Sequence, residues 1–227
     1  MNATTPMAGP PSGPWLYWLL GFVGGYGDAA GFVLARTFTG HATGNLVLGA
    51  IEIATGDPRS ALSHFSAVVT FLIGVFLGAW TMRSSKRSRF SSVIISELIL
   101  ILASPLLLSG HLAGAQSFVL CVSLALGLQN GAFRRAGGIS VHTTYLTGMI
   151  TSLISSEAEK YSAEPLPPAA STYNPRIVLT VQIWTAFVLG AITAAAATFQ
   201  FKQWAMLGIS LVLLVVILGS RTVGYAR

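Results

Sequence analysis

The sequence predicts an all-α membrane protein of about six transmembrane helices, arranged as two inverted three-helix repeats. Three observations lead there: too little charge for a water-facing surface, six apolar runs of spanning length, and two short Thr-Gly segments at matching places. Of 227 residues, 53% are hydrophobic and only 9% are Asp, Glu, Lys or Arg, with a mean hydropathy of +0.69. Soluble domains carry roughly 25% charged residues because their surfaces face water. Lipid must therefore replace water over most of this chain.

Residues 1–14 are rich in Pro and Gly, lack periodicity and read as a disordered tail. They hold no Lys or Arg, and no cleavage site for a signal peptide clearly follows. The apolar runs then cover about 15–35, 61–82, 91–109, 113–133, 177–199 and 203–220. Each approaches the ~20 helical residues needed to cross a hydrocarbon core of ~30 Å. Trp15, Tyr17, Trp18, Trp80 and Trp204 flank their ends, as expected of rings that favour the headgroup layer.

Two further apolar stretches, about 40–55 and 143–156, are too short to span comfortably and read as re-entrant or broken segments. Basic residues favour that reading over eight spans. With six spans and cytoplasmic termini, the inside collects ten of them: Arg83, Lys86, Arg87, Arg89, Arg134, Arg135, Lys160, Arg176, Arg221 and Arg227. Only Arg36, Arg59 and Lys202 are left outside. Such asymmetry follows from the resistance of Lys and Arg to translocation. It also explains the net charge of +6 without nucleic acid, because the densest cluster is a short link between apolar runs. The expected location is the bacterial inner membrane, with the lipid bilayer as the main partner and a homo-oligomer as a further assembly to test.

Self-similarity divides the chain at about residue 110. Thr43-Gly44 aligns with Thr147-Gly148, Thr39 with Thr143 and His41 with Tyr145. With a short gap, Asp28 falls opposite Gln129 or Asn130, and Phe32 opposite Phe133. Phe71 and Gly74 match Phe187 and Gly190. The first repeat is therefore 15–109 and the second 113–220, with 157–176 as a proline-rich cytoplasmic connector and 221–227 as a tail. Three spans per half reverse the second half relative to the first.

In combination, Gly25-Tyr26, Asp28-Ala29, Gly31-Phe32 and Thr43-Gly44-Asn45 resemble the YoaK-like family of bacterial integral membrane proteins, which carries a domain of unknown function. Gly127-Leu128-Gln129-Asn130, Thr143-Thr144 and Leu146-Thr147-Gly148 continue the resemblance in the second half, over residues 15–220 in all. The departure is Met149, where a small polar residue, often Asn, is expected. The resemblance implies a multi-span membrane protein and supplies no substrate.

The candidate site gathers polar residues expected near mid-membrane: Asp28, Thr39, His41, Thr43, Asn45, Gln129, Asn130, Thr143, Thr144 and Thr147. An ionisable side chain there costs ~2.5–3.5 kcal/mol on insertion scales, which marks Asp28, set among Gly24, Gly25, Gly27 and Gly31, as the sharpest case. It reads either as a proton or cation site, or as a structural carboxylate paired with Arg36 or capping the Thr-Gly segment. The hydroxyls would line a path for a small polar solute, or satisfy broken backbone. Glu97 is expected near the cytoplasmic interface, reaching water or the basic link, and His64 and His111 at span ends. Cys121 reads as a buried, inert thiol. No metal-ligand spacing, phosphate cradle or nucleophile motif appears, so no cofactor, metal or catalytic residue is expected. The favoured function is a small-solute or ion transporter or channel. The alternatives are an intramembrane enzyme using Asp28 and a histidine, and a non-transporting scaffold or signalling protein.

Overall fold

The computed structural model describes residues 14–83, 87–109, 114–133, 135–136, 139–140, 146–159 and 175–220. Its helices are α1 (Pro14–Ala35), α2 (Ala42–Thr55), α3 (Pro58–Thr81), α4 (Arg87–Leu108), α5 (Gly114–Ala132), α6 (Leu146–Glu159), α7 (Pro175–Phe201) and α8 (Met206–Ser220). All six expected apolar runs are helical. A small antiparallel pair, β1 (Arg135–Ala136) and β2 (Ile139–Ser140), was not expected and follows α5.

Helix ends follow local chemistry. α3 begins earlier than hydropathy suggests, because Asp57 caps it: its carboxylate accepts from Ser60 N at 3.1 Å, and Pro58 fills the first helical position. Asp57 is fully exposed, and the hydrogen bonds from Ser60 hold its pKa below the ordinary value. α2 ends at Gly56, whose φ of 86° is the left-handed conformation that glycine adopts freely.

By length and composition, four helical stretches among the described residues can cross a membrane: Trp15–Ala35, Pro58–Thr81, Arg89–Leu108 and Ile177–Ser220. The last is 44 residues long, about twice what a bilayer needs. It does not run straight. A tight turn at Lys202–Ala205, with Lys202 at φ 50°, separates α7 from α8. α7 runs parallel to α1, since Gly21 faces Ile183 and Gly25 faces Phe187. α8 runs antiparallel to α1, since Trp15 meets Gly219 and Tyr26 donates to the Ala205 carbonyl at 2.6 Å. α7 and α8 therefore form a hairpin.

The same reasoning orients the remaining helices. α3 and α5 are parallel, with Phe71 against Gly127 and Val75 against Gly131. α4 runs against α5, pairing Phe90 with Phe133 and Leu100 with Cys121. α5 runs against α1, where Gln129 Nε2 donates to the Leu20 carbonyl at 3.0 Å and Leu126 packs on Gly27. The six long helices thus alternate in direction along the chain.

Two close seams hold the bundle. In the α1–α7 seam, a methyl on Gly25 would overlap the Phe187 carbonyl, and one on Gly190 the Phe22 carbonyl. In the α3–α5 seam, Gly127 meets the Phe71 carbonyl and Gly74 the Leu124 carbonyl in the same manner. Lipid tails are as apolar as leucine, so helices associate by such close packing rather than by a hydrophobic drive. Leu62, Val69, Phe76, Ile99, Leu106, Leu211 and Leu218 are exposed instead, giving a surface suited to lipid. α5 sits inside the bundle, buried almost continuously from Phe118 to Phe133, and so can carry Gln129 and Asn130.

Candidate functional site

The site forms where the chain folds back after α1. Arg36, with φ 55° and its N–H bonded to the Phe32 carbonyl at 2.9 Å, ends the helix in a left-handed turn. Its side chain is exposed and does not pair with Asp28. Residues 37–41 then return along the last two turns of α1, stacking Phe38 on Phe32 at 4.6 Å. From there α2 leads back out along α3, with Gly49 against Phe65. The bend is therefore brought against Asp28, and in the first turn of α2 Asn45 is buried while Thr43 stays exposed.

Backbone amides in such a bend have no helical partner, and lipid offers none. Two side chains satisfy them. Asp28 Oδ1 accepts from Thr39 N at 2.9 Å and from Gly40 N at 2.8 Å. Asn45 Oδ1 accepts from Phe38 N at 3.0 Å, while Asn45 Nδ2 donates to the Phe38 carbonyl at 2.6 Å. Thr39 Oγ1 donates to the Gly27 carbonyl at 2.9 Å, tying the bend to α1. Of the two structural roles expected for Asp28, the capping contact is present and the Arg36 pair is not.

Beyond the cap, Asp28 Oδ2 lies 3.3 Å from His41 Nδ1. Asp28 is almost wholly buried, whereas 39% of the His41 side chain is exposed. His41 lies in the bend, outside the spanning helices. Its hydrogen bond to Asp28 raises its pKa above the ordinary value, against the opposing effect of partial burial. His64 on α3 closes the other side, with Nδ1 3.4 Å from Asn45 Oδ1. It is buried, because α2 covers this face of α3. Thr37 also joins, its Oγ1 3.2 Å from Ser63 Oγ.

The structure therefore unites Asp28, Thr39, His41 and Asn45, and adds His64, Thr37 and Ser63. Polar residues recurring as Ser60, Ser63 and His64 in the first two turns of α3 were the available signal for the additions. Thr43 is exposed, one residue into α2. Gln129 and Asn130 are buried elsewhere, on the stretch of α5 beside Leu20. Thr147 is exposed on α6, and Thr143 and Thr144 lie outside the described residues. α2 rests on α3, and α6 on α7.

The two Thr-Gly helices match in length and register: both have 14 residues, with Thr43 and Thr147 each in second place. Their chemistry differs. Met149, buried, stands where Asn45 holds the first bend. Among the described residues, no group of three or more His, Cys, Asp or Glu could hold a metal. Glu97 also departs from expectation. It is completely buried within the bundle rather than reaching water at the interface.

Comparison with known proteins fits this architecture. A family described as "Protein of unknown function (DUF1275)" matches residues 16–219. The chain belongs to this family. Within the curated proteins, it is 24% identical over 142 residues to the "UPF0700 transmembrane protein YoaK" of Bacillus subtilis (strain 168). That similarity covers 60% of this chain and 63% of the relative's length. No solved structure matches. The DUF1275 chain is thus a helical membrane protein with a YoaK-like sequence.

Proposed function

We propose that the protein is a small-solute or ion transporter of the bacterial inner membrane, with the re-entrant bend at Asp28 as its substrate-facing element. One observation carries this reading: a buried carboxylate holds an interrupted segment inside the bundle and also bears on a half-exposed histidine. Irregular backbone at membrane depth persists only where it is buried or lines a polar cavity. Interrupted helices are where secondary transporters bind solutes and coupling ions. Asp28 serves as cap and as the charge to which a proton or cation couples, with His41 as its link to water.

In the same reading the chain crosses six times as two inverted halves, with both termini cytoplasmic. Alternating helix directions support the six crossings. The seams support the halves: α1 meets α7 through Gly25–Phe187 and Gly190–Phe22, and α5 meets α3 through Gly127–Phe71 and Gly74–Leu124. Each contact in one seam has its counterpart in the other at a constant sequence offset. The Thr-Gly helices then enter from opposite faces, and one half rocks against the other during alternating access.

Single cysteines at Thr43 and Thr147, with Cys121 replaced, test the arrangement in whole cells and inverted vesicles. A membrane-impermeant thiol reagent should reach Thr43→Cys from outside and Thr147→Cys from inside. Labelling of both from one face would overturn the inverted halves. An unbiased solute screen in proteoliposomes should find a solute that slows labelling at Thr43→Cys; no uptake of any class would end the transport reading.

A further inference from the structure

The second buried acid of the bundle has no place in the site around Asp28. Glu97 is the eleventh of the 22 residues of α4, at the middle of the helix. It lies on the inward stripe with Phe90, Val93, Ile94, Ile101 and Ser104, while Ile95, Ile99, Leu102 and Leu106 face outward. None of its surface is exposed, and neither carboxyl oxygen has a hydrogen-bond partner.

No cation faces it. α5, the main neighbour of α4, offers one titratable side chain, Cys121, whose thiol is engaged with the Leu100 carbonyl at 3.1 Å. α8, packed on the other side, has none between Met206 and Ser220. Lys202, in the turn before α8, is exposed, as is Arg59 on α3. His64 on α3 is directed to Asn45. On α4 itself, Arg87 and Arg89 occupy the first turn, and Arg89 donates to the Thr81 carbonyl at 3.2 Å. A carboxylate without a donor or counter-charge is not tolerated in such surroundings, whereas the neutral acid is.

We propose that Glu97 is a proton-carrying site: it holds a proton in this arrangement and releases it only when the bundle opens to water. Release breaks the carboxyl O–H bond, leaves the electron pair on the carboxylate, and passes the proton to water at the open face. Rebinding reverses the step. The pairing of Leu100 with Cys121 sets Glu97 about one turn further along α5, level with Leu124. A neutral acid at mid-membrane is suited to carrying charge across in compensated form. The inference rests on the transport reading and adds a proton as the coupling ion, at a residue separate from Asp28.

Infrared spectroscopy on the full-length protein in lipid bilayers tests it without knowledge of the solute. At neutral pH the wild type should show a protonated carboxylic acid band that is lost in Glu97→Gln. In heavy water that band should shift while the core amides stay protected, because the proton exchanges in the folded protein. Should Glu97→Gln fail to accumulate, Glu97→Asp keeps the acid and should move the band; an unmoved band would overturn the assignment. An ionised Glu97 at neutral pH would overturn the proposal. A band that never exchanges short of unfolding would also do so, marking a structural acid. Either failure leaves the labelling pattern at Thr43→Cys and Thr147→Cys unaffected, so the transport reading stands or falls separately.

Discussion

Removing the Asp28 carboxylate separates its work as a cap from its work as a charge. In Asp28→Ala, the amides of Thr39 and Gly40 lose their acceptor while still buried. An unsatisfied buried donor costs about 1–3 kcal/mol, so the pair amounts to roughly 2–6 kcal/mol, less whatever entering water restores. Asp28→Asn keeps an oxygen for both amides. It replaces two charge-assisted bonds, each ~1.5–3 kcal/mol, with neutral ones of ~0.5–1.5 kcal/mol, a loss of about 2–3 kcal/mol in all. The His41 contact adds little to this sum, because a half-exposed ion pair is screened by solvent.

Thermal unfolding of the purified protein should therefore rank wild type above Asp28→Asn, and Asp28→Asn above Asp28→Ala. Solute uptake should be lost in Asp28→Asn even at temperatures where that variant remains folded. If Asp28→Ala unfolds with the wild type, Asp28 does not hold the bend, and the capping argument is wrong. If Asp28→Asn transports at the full rate with its proton coupling intact, the charge has no part in coupling, and the site reduces to a structural clip.

Two further outcomes follow from the same contacts. The raised pKa of His41 means that its contribution to the bend is fully present below its ordinary value of 6.5 and is lost as pH rises through the raised one. Wild-type stability should fall across that interval relative to His41→Gln, and parallel pH profiles would refute the link. Gly25→Ala sets a methyl against the Phe187 carbonyl, backbone on backbone, and should cost about 1–3 kcal/mol. Gly208→Ala meets only Tyr26 Oη at 3.4 Å and should be neutral or gain roughly 0.5–1 kcal/mol of helix propensity. A Gly25→Ala protein as stable as Gly208→Ala would mean that α1 and α7 do not pack in this way.

The apolar helices and the place of the short segment after α1 were legible because both are properties of distance along the chain. A run such as 91–109 declares its length through hydropathy, and a segment such as 40–55 declares that it is too short. Asp28 stood out for the same reason: one carboxylate among four nearby glycines breaks an apolar run. The partners of Asp28 were only half legible. Thr39, His41 and Asn45 lie in the segment that must fold back, so sequence proximity found them. His64 comes from the next helix, and its depth depends on α2 lying over α3, which hydropathy along α3 does not record.

Glu97 shows the same limit from the opposite side. Its position eight residues after Arg89 suggested a side chain able to reach the interface. Its helical phase with Phe90, Val93, Ile94 and Ile101 instead turns it inward, and α5 and α8 close over that stripe. Phase on a helix decides which neighbours a residue meets, while charge spacing decides only how far it stands from the link. For an apolar helix the two separate, since outward-facing Ile95 and Ile99 are as hydrophobic as inward-facing Ile94 and Ile101. Amphipathic contrast, the usual guide to the buried face, is therefore absent in lipid. The acid itself becomes the better guide: a carboxyl on such a helix costs less facing the bundle than facing the tails.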